Sequence, residues 1–251
     1  MTEAISSTLE NGIVTISIDR APVNALAPVD WQRLCDHIEE ASTNTDVRAV
    51  VIDGGEGRFC AGADIRVLTE PTDDPAMMLH NVSDAATSIR ACRVPVIAAI
   101  DGPSHGGGLE LALACDIRIA SMQATFSASG VNMGLVASVQ SLVEAIGDTR
   151  ARLMLFTGER FDAKLAEAWS LVTLVDDQPL SAAMALAKTI AAKAPLAIEA
   201  IKTALATAST MSSADHESLM SELFASLAES NDHQEAISAF LEKRPRSFTR
   251  R

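Results

Sequence analysis

The sequence is poor in cysteine and in positive charge. Its four cysteines, Cys35, Cys60, Cys92 and Cys115, lie at no spacing that is typical of metal ligands. We therefore predict neither a zinc site nor a disulfide framework, but buried thiols of a reducing compartment. Lysine and arginine number 20 against 33 aspartates and glutamates, so the formal net charge is -13. This balance argues against sequence-nonspecific binding of nucleic acid and against an anionic membrane surface as a partner.

Long hydrophobic runs are also missing. Apolar runs such as residues 94–100 are far shorter than the ~20 residues that a membrane-spanning helix needs. The N-terminus lacks the basic and apolar pattern of a signal peptide. We therefore expect a cytoplasmic protein that does not insert into a membrane.

Apolar residues are nevertheless plentiful, at 48% of 251 residues, which is enough for a substantial core. Asn11-Gly12, placed between two short runs of alternating apolar residues, predicts a hairpin at the start of the chain. Runs typical of strands then alternate with helical periodicity. Strands are expected at 47–52, 94–100 and 116–120, and helices after Pro28 and near 77–91 and 109–114.

Serial βα units of this kind predict an α/β fold with a largely parallel sheet covered by helices. Beyond about residue 140 helical patterns dominate, apart from an apolar run at 171–175. We divide the chain into a core with the ligand site, residues 1–190, and a C-terminal helical region, residues 191–251. The latter is expected to pack on the core or on a neighbouring subunit.

Two glycine-rich segments, residues 54–64 and 101–110, each follow a predicted buried strand, where ligand sites of α/β sheets collect. Small residues let backbone N–H groups approach a ligand closely. Gly106-Gly107-Gly108 would also present the unpaired N–H groups and positive dipole end of a helix. The first segment, taken alone, is equally compatible with an ordinary glycine-rich turn, and it matches neither a P-loop nor a dinucleotide fingerprint.

Glu110 stands about one turn into an otherwise apolar Leu-Ala-Leu-Ala helix. A carboxyl group amid so much apolar surface is costly to bury unless it has a partner or a task. Glu110 is therefore a candidate acid/base. The alternative is a solvent-facing residue or an ion pair with Arg118 or Arg152.

Together these segments resemble the paired signatures of the crotonase superfamily, the enoyl-CoA hydratase/isomerase family. Residues 59–65, Phe-Cys-Ala-Gly-Ala-Asp-Ile, resemble its first oxyanion-loop motif, and residues 106–120, from Gly-Gly-Gly-Leu-Glu onward, resemble its most recognisable stretch. Residues 19–26 resemble its N-terminal CoA-contacting turn. Further matches at 157–161, 171–172 and 240–244 extend the resemblance over nearly the whole chain.

The resemblance implies a crotonase-like spiral of ββα units with a helical C-terminal trimerisation region, assembled as a homotrimer or a dimer of trimers. It implies an acyl-CoA thioester as ligand, with its carbonyl oxygen bound by the backbone N–H groups of Ala61 and Gly107. Because coenzyme A is part of the substrate, no metal or other cofactor is expected.

The remaining site residues follow from the same resemblance. Glu110 matches one of the two glutamates with which a hydratase moves protons. The thioester and the CoA moiety are expected to be contacted by Gly62, Ala63 and Asp64 and, farther along CoA, by Arg20, Ala25 and Leu26.

One position departs from the family pattern. The second glutamate normally lies in a Phe-Gly-Gln-Pro-Glu-like segment, and here Gly130 occupies its place, followed by a connection at 136–140 that is shorter than usual. We expect an enoyl-CoA hydratase that adds water to a 2-enoyl-CoA. The alternatives are an isomerase that uses Glu110 alone and a non-catalytic acyl-CoA-binding or regulatory protein. His105, Asp64 and Glu144 are other candidate bases.

Overall fold

The computed structural model of the chain describes residues 3–66, 74 and 76–251. It opens with strands β1 (Ile5–Glu10) and β2 (Ile13–Ile18), which pair antiparallel. Asn11 and Gly12 between them have φ angles of 51° and 78°, the left-handed conformation that a tight hairpin needs. The predicted hairpin is confirmed.

A parallel sheet grows from the second strand of this hairpin. Its further strands are β4 (Ala49–Asp53), β6 (Val96–Ile100), β8 (Ile117–Ala120) and β11 (Leu174–Val175). Strand β2 pairs with β4, β4 with β6, β6 with β8 and β8 with β11, all parallel. The strand order is therefore β1-β2-β4-β6-β8-β11, and the predicted α/β class is confirmed.

Both faces of this sheet are covered by helices. Every residue of β6 is buried: Val96, Ala98 and Ile100 belong to a core shared with the first three helices, and Ile97 and Ala99 to a core against α7. Such continuous apolar strands are typical of parallel sheets. The helices concerned are α1 (Pro28–Thr43), α2 (Met77–Ala91), α3 (Gly107–Ala114) and α7 (Pro179–Ala191).

Two small sheets hold the loops that follow the main strands. Strand β3 (Ala25–Leu26) pairs parallel with β5 (Gly62–Ala63). Strand β9 (Thr125–Ser127) lies between β7 (Pro103–His105) and β10 (Phe161–Asp162). An isolated parallel bridge between Cys60 and Ser104 links the first glycine-rich segment to the second.

The rest of the chain is helical, as predicted. A 3₁₀ helix at Ser129–Met133 precedes α4 (Val139–Ile146), α5 (Asp148–Thr157) and α6 (Ala163–Ala168). The C-terminal helices are α8 (Pro195–Thr207), α9 (Ser213–Ala228) and α10 (Asn231–Glu242).

Helix α8 is tied to the core by Lys202. Its ammonium group is buried and donates to the carbonyl oxygens of Ile89 and Val94 and, at 2.8 Å, to the carboxylate of Asp116. Asp116 also accepts the N–H of Val96. Asp116 therefore has a structural role. The domain boundary at residue 190 stays a prediction.

In the described part of the chain, no single helix combines the length and the hydrophobicity of a membrane span. Helices α7 and α8, whose axes differ by 111°, reach that length and hydrophobicity only when the two are counted together.

Candidate active site

The two glycine-rich segments meet at the N-terminus of α3. A Cβ atom added to Gly62 would lie 2.8 Å from the carbonyl oxygen of His105 and 2.9 Å from the nitrogen of Gly107. A Cβ atom on Gly108 would lie only 1.9 Å from the carbonyl oxygen of Cys60. Larger residues would force the segments apart, so glycine at these positions allows the close backbone approach predicted from the sequence.

The backbone donors of the first segment are not those inferred from the motif. The N–H of Ala61 donates to the carbonyl oxygen of Val23 at 3.1 Å, so this donor is occupied, and the assignment of Ala61 is wrong in this structure. The backbone N–H of Asp64 donates to the carbonyl oxygen of Leu26 in β3. Because successive N–H groups along a strand point to opposite sides, the N–H of Ala63 points away from β3.

Ala63 instead faces the N-terminus of α3. Its nitrogen lies 3.5 Å from the position that a Cβ atom on Gly107 would occupy. Gly107 is the first residue of α3, so its N–H has no acceptor within the helix and lies at the positive end of the helix dipole. The N–H groups of Ala63 and Gly107 thus form a pair of donors that a carbonyl oxygen could share.

Glu110 lies one turn farther along α3, and its side chain is 13% exposed. Its Oε1 accepts a hydrogen bond from the hydroxyl of Ser141 at 2.5 Å and one from the guanidinium of Arg90 at 2.9 Å. Its Oε2 is buried without a hydrogen-bond partner among the described residues. Of the alternatives raised for Glu110, an ion pair does form, but with Arg90. Arg118 instead donates to backbone carbonyl oxygens, and Arg152 pairs with Asp148.

Gly130 lies in the 3₁₀ helix, directly before a tight turn in which Leu135 donates to its carbonyl oxygen. A Cβ atom on Gly130 would lie 3.1 Å from the carbonyl oxygen of Leu135 and 3.8 Å from the nitrogen of Ala137. The backbone of the short connection therefore crowds the Cβ atom of any larger residue at position 130. Ser129 lies beside the site, with its hydroxyl 3.1 Å from a Cβ position on Gly106.

Asp64 and Arg20 form an ion-pair cluster at the edge of the site. Arg20 pairs with Asp64 at 3.0 Å and with Asp30 at 3.2 Å, and it donates to the carbonyl oxygen of Ala25. Hydrogen bonds from Arg66 and, less strongly, from Arg20 hold the pKa of Asp64 well below its usual range. Arg20 thus neutralises carboxylates of this chain, and Asp64 is placed as an anchor of the loop rather than as a base.

The other candidate bases also have structural partners. His105 makes a 3.0 Å hydrogen bond with Thr125, and burial, aided by Arg160, lowers the pKa of its imidazole. Glu144 is exposed and accepts a hydrogen bond from Gln140. Of the proposed bases, Glu110 is the carboxylate that combines burial with an unpaired oxygen.

A small cavity of about 10 Å³ adjoins the donor pair. Its walls include Ala63 and Leu26 together with Trp31, which is fully buried and whose indole N–H has no partner among the described residues. The wall is completed by Pro28, Asp64, Met77, Met78 and Asn81.

Asn24 is a residue whose role the sequence did not reveal. It is fully buried, and its amide nitrogen lies within hydrogen-bond distance of the carbonyl oxygens of Ile18, Gly54 and Phe59. It therefore fixes β3 against the first glycine-rich segment. An asparagine directly before Ala25-Leu26 was the signal that the sequence offered, since asparagine tolerates the left-handed conformation, with a φ of 56°, that it adopts here.

Known proteins resemble this chain over nearly its whole length. The sequence profile described as enoyl-CoA hydratase/isomerase matches residues 8–251. A probable enoyl-CoA hydratase of Bacillus subtilis is 32% identical over 98% of both chains, and the 2,3-dehydroadipyl-CoA hydratase of Escherichia coli is 33% identical over 99% of both.

Solved structures give the same result for the fold. Pseudomonas aeruginosa DspI superposes with a TM-score of 0.94 at 32% identity, over 99% of this chain and 97% of the other. An enoyl-CoA hydratase of Bacillus anthracis superposes with a TM-score of 0.93 at 28% identity, over 99% of this chain and 100% of the other. The predicted crotonase fold is confirmed, and the chain belongs to the enoyl-CoA hydratase/isomerase family.

Proposed function

We propose that this protein hydrates a 2-enoyl-CoA, with Glu110 as its single acid/base and with the backbone N–H groups of Ala63 and Gly107 as the oxyanion donors. The observation that carries the proposal is the free, buried Oε2 of Glu110 on the helix whose N-terminus supplies one donor. The names of the full-length relatives, which are hydratases, support the same reaction.

The proposed steps balance with one carboxylate. Glu110 removes a proton from water while the water oxygen bonds to Cβ, and the electrons of the C=C bond move to the thioester oxygen as an enolate. The protonated Glu110 then returns its proton to Cα as the carbonyl re-forms. Each oxyanion donor can contribute on the order of 3 kcal/mol to stabilisation of the enolate.

Isomerisation of a 3-enoyl-CoA is the second candidate, because it too needs only one carboxyl group. A double-bond shift needs one base that takes a proton from Cα and returns it to Cγ, so Glu110 alone could complete it without a second carboxyl group at position 130. The same enolate and the same two donors would serve both reactions.

We also propose that the C-terminal helices form the contacts of a homotrimer or a dimer of trimers. Helix α9 buries none of its residues within the chain. Apolar side chains remain exposed on α8, α9 and α10, including Leu205, Phe224, Phe240 and Leu241. Exposed apolar surface of this kind typically marks a protein interface. Light scattering of the purified protein measures the assembly directly.

The first experiment is incubation of the wild-type protein with 2-enoyl- and 3-enoyl-CoA thioesters in ¹⁸O-labelled water, followed by mass spectrometry. Hydration adds labelled oxygen and the mass of water to the 2-enoyl-CoA. Isomerisation leaves the mass of the 3-enoyl-CoA unchanged and creates the conjugated absorbance. Tight binding of a saturated acyl-CoA with neither product would reject both reactions in favour of a binding protein.

A further inference from the structure

Among the residues that the structure describes, every hydrogen bond to the Glu110 carboxylate goes to one of its two oxygens. Oε1 accepts from Ser141 and from Arg90, and Arg90 also donates to the hydroxyl of Ser141 at 3.0 Å. Oε2 is buried and has no hydrogen-bond partner in the part of the chain that the structure describes. Oε1 is therefore held by the protein, whereas Oε2 can exchange a proton with a ligand.

A buried polar atom without a partner is unfavourable, so Oε2 needs a donor in the working protein. Oε1 is already held by two donors, and the rotation that would exchange the oxygens would break both bonds. Water or an acyl-CoA bound at the donor pair of Ala63 and Gly107 is the group that can supply a proton to Oε2.

We propose that Arg90 and Ser141 are positioning residues that fix Glu110 so that Oε2 alone carries the proton. This inference rests on the proposed function. In the hydration step the O–H bond of water breaks as the Oε2–H bond forms, and the Oε2–H bond then breaks as the Cα–H bond forms. Oε1 keeps its two hydrogen bonds throughout.

The fold explains how these side chains reach Glu110. Arg90 is in the last turn of α2 and Ser141 in the first turn of α4, and the connection ahead of α4 is the one whose backbone crowds a Cβ atom at position 130. The Arg90 side chain is 45% exposed, so solvent screens its charge and its main effect is geometric. Arg90 and Ser141 therefore hold Glu110, the one glutamate of the proposed site, from two different helices.

The test compares Arg90→Ala, Arg90→Lys and Ser141→Ala with the wild type. Arg33→Ala is the matched control, since Arg33 pairs with the exposed Glu3 on the surface. We expect Arg90→Ala to lower kcat by roughly 10- to 100-fold, as misplacement of a reacting group does, and Ser141→Ala by about tenfold. KM and the Kd of a saturated acyl-CoA should stay within about twofold of the wild type, because the oxyanion donors are unchanged.

Methylguanidine should restore part of the kcat that Arg90→Ala loses, and Arg90→Lys should retain more activity than Arg90→Ala. A kcat of Arg90→Ala within twofold of the wild type would overturn the proposal. The proposal would also be overturned if methylguanidine restored none of the lost activity and Arg33→Ala lost as much activity as Arg90→Ala.

Failure of the proposed function is a separate outcome, since it would show as a wild-type protein that converts no enoyl-CoA. Crystal structures of the wild type and of Arg90→Ala with a saturated acyl-CoA then decide the positioning role. We expect Oε2 to face the acyl carbons in the wild type and Glu110 to rotate in the variant. An unchanged Glu110 orientation in Arg90→Ala would contradict the proposal.

Discussion

Removing the side chain of Asn24 should destabilise the protein by several kcal/mol. Its amide NH₂ can serve two of the three nearby carbonyl oxygens at once, and its Oδ1 accepts the N–H of Arg20 at 2.9 Å. At about 1–1.5 kcal/mol for each of three lost bonds, Asn24→Gly should cost roughly 3–5 kcal/mol. Asn24→Ala should cost about 1 kcal/mol more, because Asn24 has a φ of 56°, which alanine adopts unfavourably.

Urea unfolding at a fixed protein concentration measures both variants, and the apparent midpoint of thermal unfolding should fall by roughly 6–20 °C for Asn24→Gly. Asn44→Ala is the matched control, because Asn44 is exposed and its amide oxygen accepts one local bond, from Asp46. A free energy of unfolding for Asn24→Gly within about 1 kcal/mol of the wild type would refute the reasoning.

Three further predictions concern other parts of the site and core. Because hydrogen bonds from Arg66 and Arg20 keep the pKa of folded Asp64 below that of the unfolded chain, its stabilising contribution is present above about pH 3.9 and is lost as the pH falls further. The midpoint of thermal unfolding should therefore fall more steeply for the wild type than for Asp64→Asn between about pH 4 and 2, and parallel curves would contradict this. Gly130→Glu should lower the free energy of unfolding by about 1–3 kcal/mol and should not raise the rate of hydration, because its Cβ atom would meet the backbone of Leu135. A hundredfold faster hydration would show that a side chain at position 130 has room. Burial raises the pKa of the Cys60 and Cys115 thiols to about 12, so neither should react with a chromogenic disulfide reagent at neutral pH until urea is added, with peptide mapping as the readout.

The sequence predicted the sheet well because its strands carry their own signals. The Asn-Gly turn and the continuous apolar runs are local features, and the structure confirms the hairpin and the parallel strands that follow it. Strand β10 was missed, since two residues at Phe161–Asp162 are too few to show a period. Of the run at 171–175 only Leu174–Val175 forms a strand.

The site was harder to predict because it depends on contacts between distant segments. Motif resemblance placed the donor at Ala61, but pairing with Val23 uses that N–H and leaves Ala63 to face α3. Arg90 was not foreseen as the partner of Glu110 for the same reason, since it is 20 residues away in sequence and reaches Glu110 through the packing of α2 on α3. Such pairings follow from tertiary structure and leave no periodic signal in one sequence.

We propose that Glu110 transfers the proton, while the N–H groups of Ala63 and Gly107 bind the thioester oxygen and stabilise the enolate. The most direct measurement is therefore the turnover of enoyl-CoA by Glu110→Gln beside its Kd for a saturated acyl-CoA. The account predicts that turnover falls by roughly 10²-fold or more while the Kd stays within about twofold. Undiminished turnover in Glu110→Gln would contradict it.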